Sequence, residues 1–130
     1  MRDRYRDLFA ALLDPDPHRA DKAYDAVLFD RGEALPDLRE LYETAEDTRL
    51  RFYAVQLMGF SEDPRATETV VIALEDKVPT VRAEACRALE DLRARDACDA
   101  LTARVEDLDV HVRRAAREAM NALGCRKRRR

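Results

Sequence analysis

Residues 79–92, PTVRAEACRALEDL, and residues 110–123, VHVRRAAREAMNAL, lie 31 positions apart and carry the same pattern. Val81, Ala85, Ala88, Leu89 and Leu92 form the i, i+4, i+7, i+8, i+11 stripe of an amphipathic helix, and Val112, Ala116, Ala119, Met120 and Leu123 repeat it. Carried toward the N-terminus, the frame finds Leu50, Ala54, Leu57 and Met58, and then Ala23, Ala26 and Val27 behind Arg19. Alanine thus recurs at 23, 54, 85 and 116, and a fixed period of this length predicts one supersecondary unit stacked four times. Alanine suits such a stripe because it favours helix and lets neighbouring helices approach closely.

Helix starts obey the same arithmetic. Asp16, Asp47 and Asp109 share one position, with Val78 the exception, and the next position holds Pro17, Thr48, Pro79 and Val110. Aspartate accepts from the free amides of a first turn and proline needs no donor there, so a second helix of each unit is expected from about these residues. A first helix precedes it, on the stripes Tyr5, Leu8, Phe9, Leu12 and Leu13; Leu35, Leu38, Leu41, Tyr42 and Ala45; Val70, Val71 and Leu74; and Ala97, Leu101 and Val105. Pro36 and Pro64 mark first turns, and Asp63 and Asp96 read as N-caps. The expectation is an all-α solenoid of four helical hairpins, eight helices, forming one domain over 1–125, with units near 3–31, 32–61, 62–93 and 94–124 and a basic, disordered tail at 126–130.

At this point the chain resembles the HEAT repeats, in particular the short bacterial HEAT-like type of phycobilisome lyases. The resemblance rests on residues 73–93, ALEDKVPTVRAEACRALEDLR, and 105–124, VEDLDVHVRRAAREAMNALG, each with an Asp-containing turn, a Val-Arg pair and an Ala-rich second helix. It implies a ladder in which the aspartate ending a first helix and the arginine six residues on link the units, matched here by Asp76 with Arg82 and Asp107 with Arg113. Asp14 is kept opposite Ala20, and Arg51 opposite Ala45, which suggests a cross-unit pair of Asp14 with Arg51.

Charged residues make up 39% of the chain and apolar ones 46%, which fits solvated helix faces around a core and argues against disorder. No apolar run is long enough to span a membrane. Cys86, Cys98 and Cys125 lack metal-ligand spacing and read as reduced thiols of a cytoplasmic protein. Five positive charges at Arg126, Lys127, Arg128, Arg129 and Arg130, subtracted from the net −3, leave −8 for the body. So acidic a body repels phosphate and confines any nucleic-acid contact to that tail.

No residue set points to catalysis, a metal or a cofactor. The two histidines, His18 and His111, stand in different units, and His18 precedes Arg19 and His111 precedes Val112, so the His-Glu pairs of the HEAT-fold deoxyhypusine hydroxylases are missing. Glycines only at 32, 59 and 124 leave no phosphate-binding loop. The expected function is therefore a protein-interaction or scaffold module binding another protein on the concave face of the second helices. Opposite the packing stripe lie Arg49, Phe52, Tyr53 and Gln56; Glu84 and Arg87; and His111, Arg114 and Glu118. Phe52 and Tyr53 stand where other units carry Ala, Arg or Glu, and read either as an aromatic anchor or as packing against the first unit, whose second helix carries Tyr24, Leu28 and Phe29. The resemblance also implies, as the alternative, a bilin-chromophore lyase or isomerase subunit. With Arg113 and the rest of the last unit patterned like an internal repeat, end-to-end pairing of two chains is a further expectation.

Overall fold

The computed structural model describes residues 1–126, and each second helix begins where the frame places it: α2 spans Pro17–Phe29, α4 Thr48–Gly59, α6 Pro79–Asp91 and α8 Val110–Leu123. The first helices are α1 (Asp3–Ala11), α3 (Leu35–Thr44), α5 (Thr67–Ala73) and α7 (Cys98–Arg104), so the described residues form an all-helical solenoid without strands. Asp16, Asp47 and Asp109 accept from the amides of His18, Arg49 and His111 and cap α2, α4 and α8. Val78 offers α6 no such acceptor; instead the Asp76 carboxylate accepts from the Val78 amide at 2.9 Å. Asp63 caps a 3₁₀ turn at Pro64–Ala66 ahead of α5. Asp96 caps nothing and lies inside the matching turn, Arg95–Ala97.

Past the ends of α4, α6 and α8 the chain turns alike. Glu62, Arg93 and Gly124, each 31 residues on from the last, adopt left-handed φ of 57°, 54° and 69°. The Ala94 and Cys125 amides then donate back to Leu89 and Met120, closing the last turns of α6 and α8.

Burial follows the alanine stripe. Ala54, Ala85, Ala88, Ala116 and Ala119 are fully buried among Leu57, Met58, Val81, Leu89 and Val112. Helices α4, α6 and α8 pack directly on one another along this seam, whereas first helices pack chiefly on the second helix of their own hairpin, so α4, α6 and α8 form one continuous layer. A side chain at Gly59 would put its Cβ 2.8 Å from that of Ala88.

One expectation is overturned here. Cys98, first residue of α7, and Cys125, just past α8, form a disulfide with Cα atoms 5.7 Å apart. The ends of an antiparallel hairpin meet in space, which brings together two cysteines 27 residues apart. Cys98 and Cys125 are therefore not the reduced thiols expected, and Cys86 remains a thiol. Burial pushes that thiol up to about 12, which makes it unreactive. No helix among the described residues is long and apolar enough to cross a membrane. The expected disordered tail falls mostly on residues 127–130, outside the described ones.

Candidate functional site

Successive units are linked by the ladder, whose direction is now explicit. Arg51 reaches forward to Asp76 at 3.1 Å, and Arg82 to Asp107 at 2.9 Å, 25 residues on in each case. Within its own unit the same arginine donates only to backbone: Arg82 to the Asp76 carbonyl at 2.8 Å, and Arg113 to the Asp107 carbonyl at 2.7 Å. Each rung therefore joins an arginine to the aspartate of the following unit. The expected pairs of Asp76 with Arg82 and Asp107 with Arg113 are carbonyl contacts, and the expected pair of Asp14 with Arg51 does not form.

Burial pushes the Asp76 carboxyl up, but the Val78 amide, the Tyr42 hydroxyl and the Arg51 guanidinium outweigh it and hold the group below the usual carboxylate value. Asp107 is likewise pushed up by burial and then held low by Arg82, the Asp109 amide and Arg104. Tyr42 donates to Asp76 at 2.9 Å, completing a buried triad with Arg51.

On this register, Ala20 and Ala45 are the two halves of a single absent rung between the first and second units. Where it is missing, a groove of about 240 Å³ opens, lined by Leu12, Ala20, Asp21, Tyr24 and Tyr53. Tyr24 meets Tyr53 edge-on with centroids 5.9 Å apart, and Tyr53 meets Phe52 the same way at 5.9 Å. The Tyr24 hydroxyl donates to Gln56 Oε1 at 2.6 Å, and burial followed by the nearby Glu84 charge raises it to about 12. Tyr24, Tyr53 and Phe52 thus form a half-buried aromatic chain along the α2–α4 seam.

The residues singled out from sequence fall into separate groups. Phe52, Tyr53 and Gln56 belong to the aromatic seam, to which Tyr24 must be added; its place one helix earlier, at the frame position of Val55 and Cys86, was the available signal. Arg49 is exposed and paired with Asp47 at 3.0 Å. His111, Arg114 and Glu118 are exposed on one side of α8. Glu84 corrects the expectation of a solvated face: it is 5% exposed, because its side of α6 is enclosed by the preceding unit. Burial raises the Glu84 carboxyl, opposed by a 3.0 Å hydrogen bond from Arg87, whose own side chain is half exposed. Among the described residues no group of three or more His, Cys, Asp or Glu is placed to hold a metal ion.

Residues 35–121 match the family of HEAT repeats. The chain belongs to the HEAT-repeat proteins. The matched stretch omits α1 and α2, the hairpin behind the missing rung. No curated protein matches the chain in sequence. Among solved structures the fold is similar to human deoxyhypusine hydroxylase in complex with glycerol, at TM-score 0.71 and 21% identity over 93% of this chain and 43% of that one. It is also similar to an engineered protein, at 0.57 and 17% over 94% and 63%. A third likeness is to the complex of CpcE and CpcF of phycocyanin lyase from a Nostoc species, at 0.55 and 19% over 92% and 64%. This HEAT-repeat chain therefore spans less than two thirds of each of those proteins, and identities this low speak of fold alone.

Proposed function

We propose that this HEAT-repeat chain is a non-catalytic interaction module that binds another protein on the inner face of its second helices, anchored at the aromatic seam. The observation that carries the reading is the groove beside Tyr24, Tyr53 and Phe52, at the one internal place where the Arg–Asp ladder is interrupted. Aromatic side chains in a preformed notch deliver much binding energy for little ordering cost, and the exposed Arg87 and Arg114, on the following second helices α6 and α8, supply charge selectivity. Complexation in the phycocyanin lyase likeness supports a protein as the partner.

The test is capture of partners from the native lysate by the parent chain, by Phe52→Ala, and by Ile72→Asp on the outer layer, where Ile72 is 60% exposed. Phe52→Ala should lower capture at least tenfold, about 1.4 kcal/mol or more, and keep the parent melting profile to within about 2 kcal/mol, as suits a half-buried position. Ile72→Asp should capture normally. The reverse pattern would move the binding face to the first helices.

The bilin-lyase alternative takes only fold from its likeness; mixing purified protein with a bilin and finding a shifted absorption band would revive it. Nucleic-acid binding through the basic tail would show as a gel shift lost on deleting Arg126 to Arg130.

A further inference from the structure

The ladder has two open ends, and they match. Arg113 occupies the position of Arg51 and Arg82, and its Nη1 is oriented by the Asp107 carbonyl at 2.7 Å just as Arg82 is by the Asp76 carbonyl. The Nε and Nη2 groups that Arg82 gives to Asp107 meet no carboxylate around Arg113 among the described residues. At the other end Asp14 Oδ1 accepts from the Asp16 amide at 2.9 Å, the turn in which Asp76 accepts from Val78 and Asp107 from Asp109. Asp14 is thus a formed acceptor without an arginine ahead of it among the described residues.

We infer that a second copy of this chain stacks head to tail, its first hairpin seated on the α7/α8 face, so that Arg113 of one copy pairs with Asp14 of the next. A second contact in the same register supports this occupant over an unrelated one. Tyr24 donates to Gln56, one frame position further on in the next unit. The equivalent pair across the junction is Arg117 with Asp25, an opposite-charge pair of exposed side chains. The receiving face carries a groove of about 770 Å³ with Val105 and Met120 among its walls and Arg117 and Asn121 at its rim. Such a contact is heterologous: it uses different surfaces on the two copies and extends into an open chain rather than closing as a dimer.

Sedimentation velocity of the full chain over about two decades of concentration tests this, since association follows mass action. The expected result is a weight-average mass that rises without a plateau at two copies and falls with salt. Asp14→Arg and Arg113→Asp should each abolish association. Mixed in equal amounts they should associate without limit again, because each retains one intact end and the exchanged charges at the other two ends are complementary. Arg117→Asp should weaken association at least tenfold, with restoration when mixed with Asp25→Arg. Lys22→Glu should strengthen it severalfold, since Lys22 brings a like charge to the face meeting Arg117. Melting curves confirm folding of each variant, and Arg117→Asp serves if Arg113→Asp does not fold. A chain monomeric throughout, a plateau at two copies, or variants that associate like the parent would each overturn the inference. Phe52→Ala should leave self-association unchanged, which separates this junction from the partner face.

Discussion

Between α4 and α6, Gly59 lies against Ala88 and Arg51 reaches Asp76; between α2 and α4 the corresponding positions hold Leu28 opposite Leu57 and Ala20 opposite Ala45. Small residues and a buried ion pair draw α4 and α6 into one seam, while two leucines and two alanines at the first seam hold the helices apart and remove the rung. The first hairpin is tied on by other means. Arg2 grips Asp37 at 2.6 Å and Tyr24 bonds to Gln56, while Arg4 pairs with Asp30 within the hairpin itself. Arg2 is thus an inter-unit tie, from the start of α1 to α3. The two seams differ in what they leave free: the regular one spends its surface on its own packing, whereas the first leaves a groove beside Tyr24 and Tyr53.

Ala85→Asp should break the regular seam most severely. Ala85 is 0% exposed, and an unpaired carboxylate there costs several kcal/mol, about 4 or more, leaving little folded protein by circular dichroism. The same change at Ala26, half-buried in the first hairpin, should leave a folded chain.

Asp107→Asn, which leaves the buried Arg82 without its charge partner, should cost about 3 kcal/mol in denaturant unfolding at neutral pH. The Asp107 carboxyl is held below the usual 3.8, so its contribution is fully present above that value and fades as pH falls through the lower folded-state value. Parent and variant should therefore converge in stability only in strong acid. Asp14→Asn, with no rung in the isolated chain, should be nearly neutral at every pH when measured at low concentration.

Gly59→Ala should destabilise by about 1–3 kcal/mol despite alanine's better helix propensity, because the new methyl meets the Ala88 backbone at 2.9 Å. A melting temperature above that of the parent would show that the seam is not close-packed.

The smallest effect belongs to the helix ends. Arg93 sits at φ 54°, where glycine is at ease, so Arg93→Gly should stabilise by up to about 1 kcal/mol. Arg31 holds the same frame position without positive φ, and Arg31→Gly should stabilise nothing.

Much of the scaffold was legible because its signals are local. Asp16, Asp47 and Asp109 cap the helices they precede, and the alanine stripe fills the seam, since capping and 3.6-residue periodicity act within a few residues of chain. The site was legible only in part. Phe52 and Tyr53 stood out as departures from the frame, but Tyr24 completes the aromatic chain from another unit, and Glu84 turned from solvent to burial because of a neighbour rather than its own helix.

By itself the amino-acid sequence determined the period, the four second-helix starts and the residues along the seam. The tertiary structure alone decided that each rung runs forward, from Arg51 to Asp76 and Arg82 to Asp107, that Ala20 and Ala45 share one gap, and that Cys98 meets Cys125. The physical reason is that a repeat frame states which residues are equivalent. Which of two neighbouring units a side chain faces depends on helix rotation and approach, set by the summed packing of Gly59, Ala88 and the leucines that replace them at the first seam.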